Sequence, residues 1–199
     1  MEKETHNNFN SEKDAQSIIL GIAPLSSDSL QKLLDIISIE EHPKGHILFE
    51  ENKNDRNIYF INKGIVRVFY LHDITEVTLL FGIEGDFLIS LKSYVENQPG
   101  YETIELLENC TLFKLEYEDL QKLYNEDIFI ANWGRKIAEK ELIKVEERLM
   151  SHQFRTASQR YTELIEKYPY LLKRVQLGQI ASYLGVSQVT LSRIRAEIK

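Results

Sequence analysis

The chain has 199 residues, 24 Lys and Arg against 31 Asp and Glu, and 43% hydrophobic side chains. That is the balance of an ordinary globular protein with room for one large or two small domains. No apolar run reaches the length of a membrane span, and the polar, acidic Met1–Asp14 has no signal-peptide pattern, so no membrane association and a cytoplasmic location are expected. The single cysteine, Cys110, excludes internal disulfides and cysteine-cluster metal sites, and with no export signal the sequon Asn109-Cys110-Thr111 is an accident of sequence. Charge is segregated: residues 151–199 carry eight Lys and Arg against three Asp and Glu, a balance of +5, whereas residues 1–150 carry sixteen against twenty-eight, a balance of −12. An acidic body with a basic tail suits a protein that meets a polyanion through its C-terminus.

Met1–Asp14 is expected to be a mobile tail. A helical pattern starts at Ala15–Leu20, and Pro24-Leu-Ser-Ser-Asp28 punctuates it and caps a second helix, Asp28–Ser38, with Leu30, Leu33, Leu34 and Ile37 buried. From Ile39 to Leu115 the texture changes to short β-runs between turn signals. Pro43-Lys-Gly45 is a turn before a strand at His46–Glu50, and Glu51–Arg56 is a polar turn before Asn57–Asn62. Lys63-Gly64 closes a hairpin into Ile65–Leu71, where Ile65, Arg67, Phe69 and Leu71 alternate with Val66, Val68 and Tyr70. Glu76–Ile83 alternates again, Gly85-Asp86 turns, and Thr103–Leu107 with Thr111–Leu115 reads as another pair. Strands so short and evenly spaced imply an antiparallel sandwich or barrel.

Tyr117–Tyr124 reads as a short helix and about Ile128 to Phe154 as a long one. The stripe Ala131, Gly134, Ala138, Leu142, Val145 and Leu149 is nearly a heptad, and Ile130, Trp133, Ile137 and Ile143 flank it. Such a helix leaving a barrel exposes apolar surface unless it pairs with its own copy, so a homodimer is expected, with packing on the chain's own barrel as the alternative. Phe154–Ala157 is a hinge, and a helix at Thr156–Lys167 ends at Tyr168-Pro169-Tyr170.

The last stretch, Val175–Arg195, reads as two helices joined by a tight turn. The first buries Leu177, Ile180, Ala181 and Leu184. Gly185 follows at a position suited to a left-handed backbone, Val186 plugs the turn, and Ser187 caps the next helix. That helix buries Leu191, Ile194 and Ile198 and leaves Gln188, Val189, Ser192 and Arg193 together on the opposite face. The pattern is that of a helix-turn-helix reading double-stranded DNA; a bare αα-corner is the plainer alternative.

Barrel, long helix and helix pair, in that order, resemble the cyclic-AMP receptor protein/fumarate–nitrate regulator (Crp-Fnr) family of transcription regulators. The most specific residues are Lys63-Gly-Ile-Val-Arg-Val68, Gly85-Asp-Phe87, and Ile180-Ala-x-x-Leu-Gly-Val-Ser187 followed by Thr190-Leu-Ser-Arg-Ile194. The resemblance covers nearly the whole chain. It implies an α+β fold in three parts: an N-terminal double-stranded β-helix (jelly-roll) of the cyclic-nucleotide-binding type at 1–127, a dimerisation helix and hinge at 128–154, and a helix-turn-helix domain at 155–199. In that last part the family's β-hairpin wing is expected to be missing, which shifts weight onto Arg195, Lys199 and the dimer. It further implies that Gln188, Val189 and Arg193 meet bases while Ser187 and Thr190 meet phosphates; Ser192 and Arg195 complete the expected DNA-binding set. RNA polymerase is a further candidate partner. The Val189 position is often Glu in the family, which implies a different preferred site.

The pocket departs from the pattern. After the Asp-Phe turn, cyclic-AMP-binding members carry a Gly-Glu pair for the ribose and, further on, an Arg-Ser or Arg-Thr pair for the cyclic phosphate. Here those positions fall on Ile89-Ser90 and Glu102-Thr103. Phe87, Ile89, Ser90, Lys92, Glu102 and Thr103 would line the degenerate pocket. With Glu102 where a phosphate-gripping arginine is expected, cyclic AMP is not expected to bind, and any small-molecule effector is unidentified. A metal site and catalysis are not expected either: His6, His42, His46, His72 and His152 include no His-x-His pair of the cupin kind, and no phosphate-binding loop or nucleophile elbow occurs. No cofactor is expected. The alternatives are a cyclic-nucleotide sensor with an atypical pocket and a signalling scaffold that does not bind DNA.

Overall fold

The computed structural model describes residues 14–198; the tail expected at the N-terminus therefore lies almost wholly outside the described residues, as does Lys199. Helix α1 (residues 14–22) and α2 (Ser27–Asp35) precede eight strands: β1 (Ile37–His42), β2 (Ile47–Phe49), β3 (Ile58–Lys63), β4 (Val66–His72), β5 (Thr75–Gly82), β6 (Phe87–Leu88), β7 (Thr103–Leu106) and β8 (Cys110–Leu115). Helix α3 (Leu91–Glu96) interrupts them between β6 and β7. After them come α4 (Tyr117–Glu126), α5 (Ile128–Phe154), α6 (Ala157–Lys167), α7 (Leu171–Arg174), α8 (Leu177–Tyr183) and α9 (Gln188–Glu197).

The strands form two antiparallel four-stranded sheets, ordered β1-β8-β3-β6 and β2-β7-β4-β5, the sandwich that the strand spacing implied. Between them Phe49, Tyr59, Ile61, Val66, Val68, Leu88, Ile104, Leu106 and Leu112 make the interior. Two expected pairings are corrected. The turn at Lys63-Gly64 does not close a hairpin: β3 and β4 lie in different sheets, as do β7 and β8. In each case a chain reversal carries the strand from one layer to the other, and reversals of both kinds use the same turn residues. The second helix also stops earlier than expected. Ser26, within the expected capping stretch, caps it by accepting the Ser29 N–H at 3.1 Å, and Ile37 begins β1 paired with Leu115.

Gly64 shows why the crossing is fixed. Its φ is +113°, and a Cβ there would sit 2.3 Å from Cys110 Sγ. A side chain is opposed both by the backbone and by the buried thiol.

The long helix is held at its beginning. Asp127 caps it through Oδ1 to the Phe129 N–H, at 2.9 Å, while Oδ2 accepts from Ser29 Oγ at 2.9 Å and Lys32 Nζ at 3.3 Å. Ile130, Trp133 and Ile137 enter a core shared with α1, α2, α4 and the outer face of the first sheet, and the Trp133 indole donates to the Ile19 carbonyl at 2.9 Å. Gly134 faces α4: a Cβ there would meet Tyr124 Oη at 2.3 Å. It serves an internal contact.

The second core joins barrel to C-terminal helices: Ile65 and Leu107 pack with Tyr161, Leu164, Leu171, Val175, Ile180, Ala181, Leu184, Leu191 and Ile194. This accounts for the full burial of Ile65, just before β4. One residue is corrected in the last helix: Ile198, expected in the core, is exposed, because it follows the final helical turn. Among the described residues no helix is long and apolar enough to cross a membrane.

Gly64→Ala is expected to cost at least about 2 kcal/mol, from positive-φ strain and overpacking together. Gly21→Ala, in α1 with open space around it, should be neutral or stabilising by up to about 1 kcal/mol. Urea unfolding of the two variants checks this; similar midpoints would refute the packing argument.

Candidate nucleic-acid interface

Helices α8 and α9 meet through a four-residue reversal. Gln176 caps α8 in a reciprocal pair with Gln179. Gly185 takes φ +66°, its N–H bonding the Ser182 carbonyl and that of Val186 the Ala181 carbonyl, both at 3.0 Å. That is the left-handed helix ending the sequence implied. Val186 is half-buried against the core. Ser187 Oγ accepts the Thr190 N–H at 3.1 Å and lies 2.9 Å from Thr190 Oγ1. Leu191 and Ile194 anchor α9 inward.

The opposite face of α9 is open. Gln188, Val189, Thr190, Ser192 and Arg193 are all exposed, and Arg195 is half-buried; Val189 keeps 63% of its surface. Arg193 and Arg195 have no carboxylate partner among the described residues. Ser192 Oγ donates to the Gln188 carbonyl at 3.0 Å, so its hydroxyl proton is already engaged, as is the Ser187 hydroxyl in capping. What α9 offers outward is therefore its N-terminal backbone N–H groups, the Gln188 amide, the Val189 methyls and the Arg193 guanidinium.

The barrel positions singled out in the sequence behave differently. Phe87 and Ile89 are half-buried and pack with the helical core. Ser90 is buried and donates to Ser93 Oγ at 3.0 Å, which donates to the Gln98 carbonyl at 2.9 Å. Lys92 is exposed on α3. Glu102 is 7% exposed; Oε2 accepts the Tyr101 N–H at 3.2 Å, and Oε1 is buried with no partner. Thr103 Oγ1 accepts the Glu51 N–H at 3.2 Å. So the Ser90 and Thr103 hydroxyls are engaged within the fold, Glu102 keeps one buried carboxyl oxygen without a partner, and no arginine or lysine pairs with it among the described residues. No group of three or more His, Cys, Asp or Glu suited to a metal occurs among the described residues.

Sequence reasoning missed the seam between the two parts. Arg174 of α7 grips two barrel carboxylates: Nη2 meets Glu84 Oε1 at 2.8 Å and Glu108 Oε2 at 2.6 Å, and Nε meets Glu108 Oε1 at 2.8 Å. Ser182 of α8 accepts the Thr78 N–H at 2.9 Å and donates to the Glu76 carbonyl at 3.0 Å, satisfying the free edge of β5. The Tyr183 ring packs against Phe81 at a tilt of 41°, with centroids 5.4 Å apart. Nothing in the periodicity of α7 or α8 marks these contacts, because they join residues about seventy to a hundred positions apart.

This order of parts has known counterparts. Residues 39–127 match the cyclic nucleotide-binding domain family. The structure superposes on FixK2 from Bradyrhizobium japonicum with a TM-score of 0.71 at 19% identity, over 82% of this chain and 84% of that one. It superposes on the c-di-GMP-responsive global regulator CLP of Xanthomonas campestris with a TM-score of 0.69 at 16% identity, over 87% and 91%. A putative transcriptional regulator of the Crp/Fnr family from Eubacterium rectale gives 0.68 at 16% identity, over 87% and 85%. The fold is that of the Crp/Fnr regulators. The resemblance carried by the glycine turns and the last two helices is thus borne out. No curated protein sequence matches the chain.

Within this Crp/Fnr fold the Arg174 clamp should be pH-sensitive. Hydrogen bonds from Arg174 hold the Glu108 carboxyl below its ordinary value. At Glu84 burial pushes upward, but Arg174 and backbone N–H groups outweigh it and the net shift is also downward. A lowered folded-state value means the contribution is complete above the unfolded-state values and is lost as pH falls through the lowered ones. Arg174→Met should weaken the seating of α7 and α8 by about 1 kcal/mol, since the pairs are partly solvated. Amide exchange in α8 at pH 7 should accelerate accordingly, and the wild type should approach the variant on acidification. Equal protection in both at pH 7 would refute the clamp.

Proposed function

We propose that the protein is a homodimeric, sequence-specific double-stranded-DNA-binding regulator of transcription, located in the cytoplasm and not an enzyme. The observation that carries this reading is the open face of α9. A capped helix, fixed from below by Leu191 and Ile194, presents Gln188, Val189 and Arg193 side by side to solvent with no internal partner for the guanidinium. Arg bidentate to guanine, Gln to adenine and an apolar contact to a thymine methyl are the pairings that such a set can make in a major groove. Phosphates would meet the N-terminal N–H groups of α9 around Ser187 and Thr190, and Arg195 the neighbouring backbone. The helix-turn-helix domain is taken as 155–199, the dimerisation helix as 128–154 and the barrel as 1–127. RNA polymerase is a candidate partner through surfaces not yet identified.

Support for self-association comes from α5. Leu142, Val145 and Leu149 of the expected stripe are 70%, 61% and 55% exposed, and Ile143, Met150 and Phe154 lie exposed beside them. Ala138 is also exposed, while Ala131 is half-buried and Gly134 is taken by Tyr124. A seam from Ala138 to Leu149 is what a second copy would cover. Two α9 helices related by a two-fold would then address half-sites about one helical turn apart.

The barrel is proposed not to bind cyclic AMP. Bringing a cyclic phosphate to the buried Glu102 sets like charge against like, a cost of about 1–4 kcal/mol, where an arginine would have gripped it. Calorimetric titration with cyclic AMP should show no binding at micromolar ligand; a micromolar Kd would overturn this part of the reading. Arg193→Ala should lose about 1–3 kcal/mol of affinity for the preferred site and relax preference at one base pair. Electrophoretic shifts on single-base variants of that site test it: uniform loss across all variants would assign Arg193 to phosphate instead.

A further inference from the structure

A cavity of about 280 Å³ opens between the end of β5, the second half of α5, and α6 to α8. Its floor is apolar, with Phe81, Leu164 and Tyr183 among the lining. Three basic side chains converge on it from two helices: Arg148 and His152, one turn apart on α5, and Arg160 on α6. Arg148 lies 4.2 Å over the Tyr183 ring and reaches the Thr78 carbonyl at 3.4 Å. Arg160 donates Nη1 to the Arg155 carbonyl at 2.7 Å and Nη2 to the Leu184 carbonyl at 2.8 Å, while its Nε–H is buried with no acceptor. None of the three pairs with a carboxylate among the described residues. Four acids also line the cleft and are engaged elsewhere or stand apart: Asp86 and Glu141 hold Lys144, Glu163 holds Arg155 and Ser151, and Glu147 pairs with none of the three. Lys167 adds a further cation at the rim.

We propose that this cleft is a binding site for a small organic anion, a carboxylate or phosphate monoester on an apolar body. The apolar floor takes the body, and the headgroup takes the remaining terminal N–H donors of the Arg148 and Arg160 guanidinium groups, in charge-assisted hydrogen bonds. Arg148 and Arg160 make no ion pair with the carboxylates around the cleft, so an anion seated between them supplies the direct counter-charge they lack. The state of His152 agrees with this: burial, then the fields of Arg148 and Arg160, hold its protonation below the ordinary value. Because the lining comes from the barrel, the long helix and the C-terminal helices, occupancy would bear on how α9 is oriented. That consequence rests on the proposed function; the binding itself does not.

The test is a titration of the full chain with phenyl phosphate, benzoate and benzyl alcohol, following the arginine Nε–H resonances by NMR. Phenyl phosphate or benzoate should shift the Arg160 and Arg148 signals saturably, at concentrations below about a millimolar, and benzyl alcohol should not; the tighter of the two anions names the headgroup. Arg148→Gln and Arg160→Gln should each weaken binding at least tenfold. His152→Glu, which removes no structural bond, should do the same by adding a negative charge, and Lys53→Gln, in the exposed loop after β2 and outside the cleft lining, should leave affinity unchanged. Equal shifts with benzyl alcohol, shifts that do not saturate, or undiminished binding in all three cleft variants would overturn the proposal. No DNA is present, so failure here and failure of the DNA-binding reading are separable.

Discussion

Everything C-terminal to the barrel depends on how one 27-residue helix is fixed, by burial at its beginning and by polar contacts alone further on. Asp127 caps α5 and simultaneously accepts from Ser29 and Lys32 of α2. Within the next three turns Ile130, Trp133 and Ile137 enter the core. Beyond Ile137 no residue through Phe154 is buried, and the bonds to the barrel are polar, Lys144 to Asp86 at 3.0 Å and Arg148 to the Thr78 carbonyl at 3.4 Å. A helix so anchored must cover its remaining apolar side by other means. Leu142 and Leu149 are exposed outside the cleft, whereas Val145, exposed as well, lines the cleft with Lys144, Arg148 and His152. The same element thus serves both the proposed dimer seam and the interdomain space.

The second constraint is that the C-terminal helices are seated on the barrel. Burial of Ile65 and Leu107 with Tyr161, Leu164 and Ile180 makes the contact apolar at its centre, while the Arg174 clamp and the Ser182 bonds to β5 give it a register. Apolar contact alone is non-directional; the paired carboxylates and the strand edge are what fix which face of α8 meets the barrel. With α8 so placed, α9 carries its polar face outward. The device is economical in one respect: Ser182 closes an edge strand that would otherwise present unpaired backbone groups.

Much of this was legible in the sequence, and the failures have physical causes. The strand texture from Ile39 to Leu115, the span of α5, the Ser187 cap and the left-handed Gly185 follow from local rules, because each depends on residues within one or two turns. What failed depends on distant partners. Lys63-Gly64 has the composition of a hairpin turn, yet which sheet the next strand joins is decided by packing across the sandwich. Ile36 and Ile37 continue the apolar period of α2, but pairing of Ile37 with Leu115 claims the chain as strand. Gly134 fits a dimer stripe by spacing, and only the neighbouring Tyr124 shows where its small size is used. Helices α3 and α7, six and four residues long, carry too little periodicity to announce themselves. Of the candidate site, the exposed face of α9 was readable from period alone, whereas the Arg148–Arg160 cleft was not, since its members lie on separate helices.

The central claim is that α9 reads base sequence as one of a symmetric pair. The most direct measurement is selection of bound duplexes by the full chain from a random DNA pool, followed by sequencing. The account predicts enrichment of an inverted repeat whose half-sites lie about one helical turn apart. Recovery of no enriched motif, with binding that depends on salt alone, would contradict it.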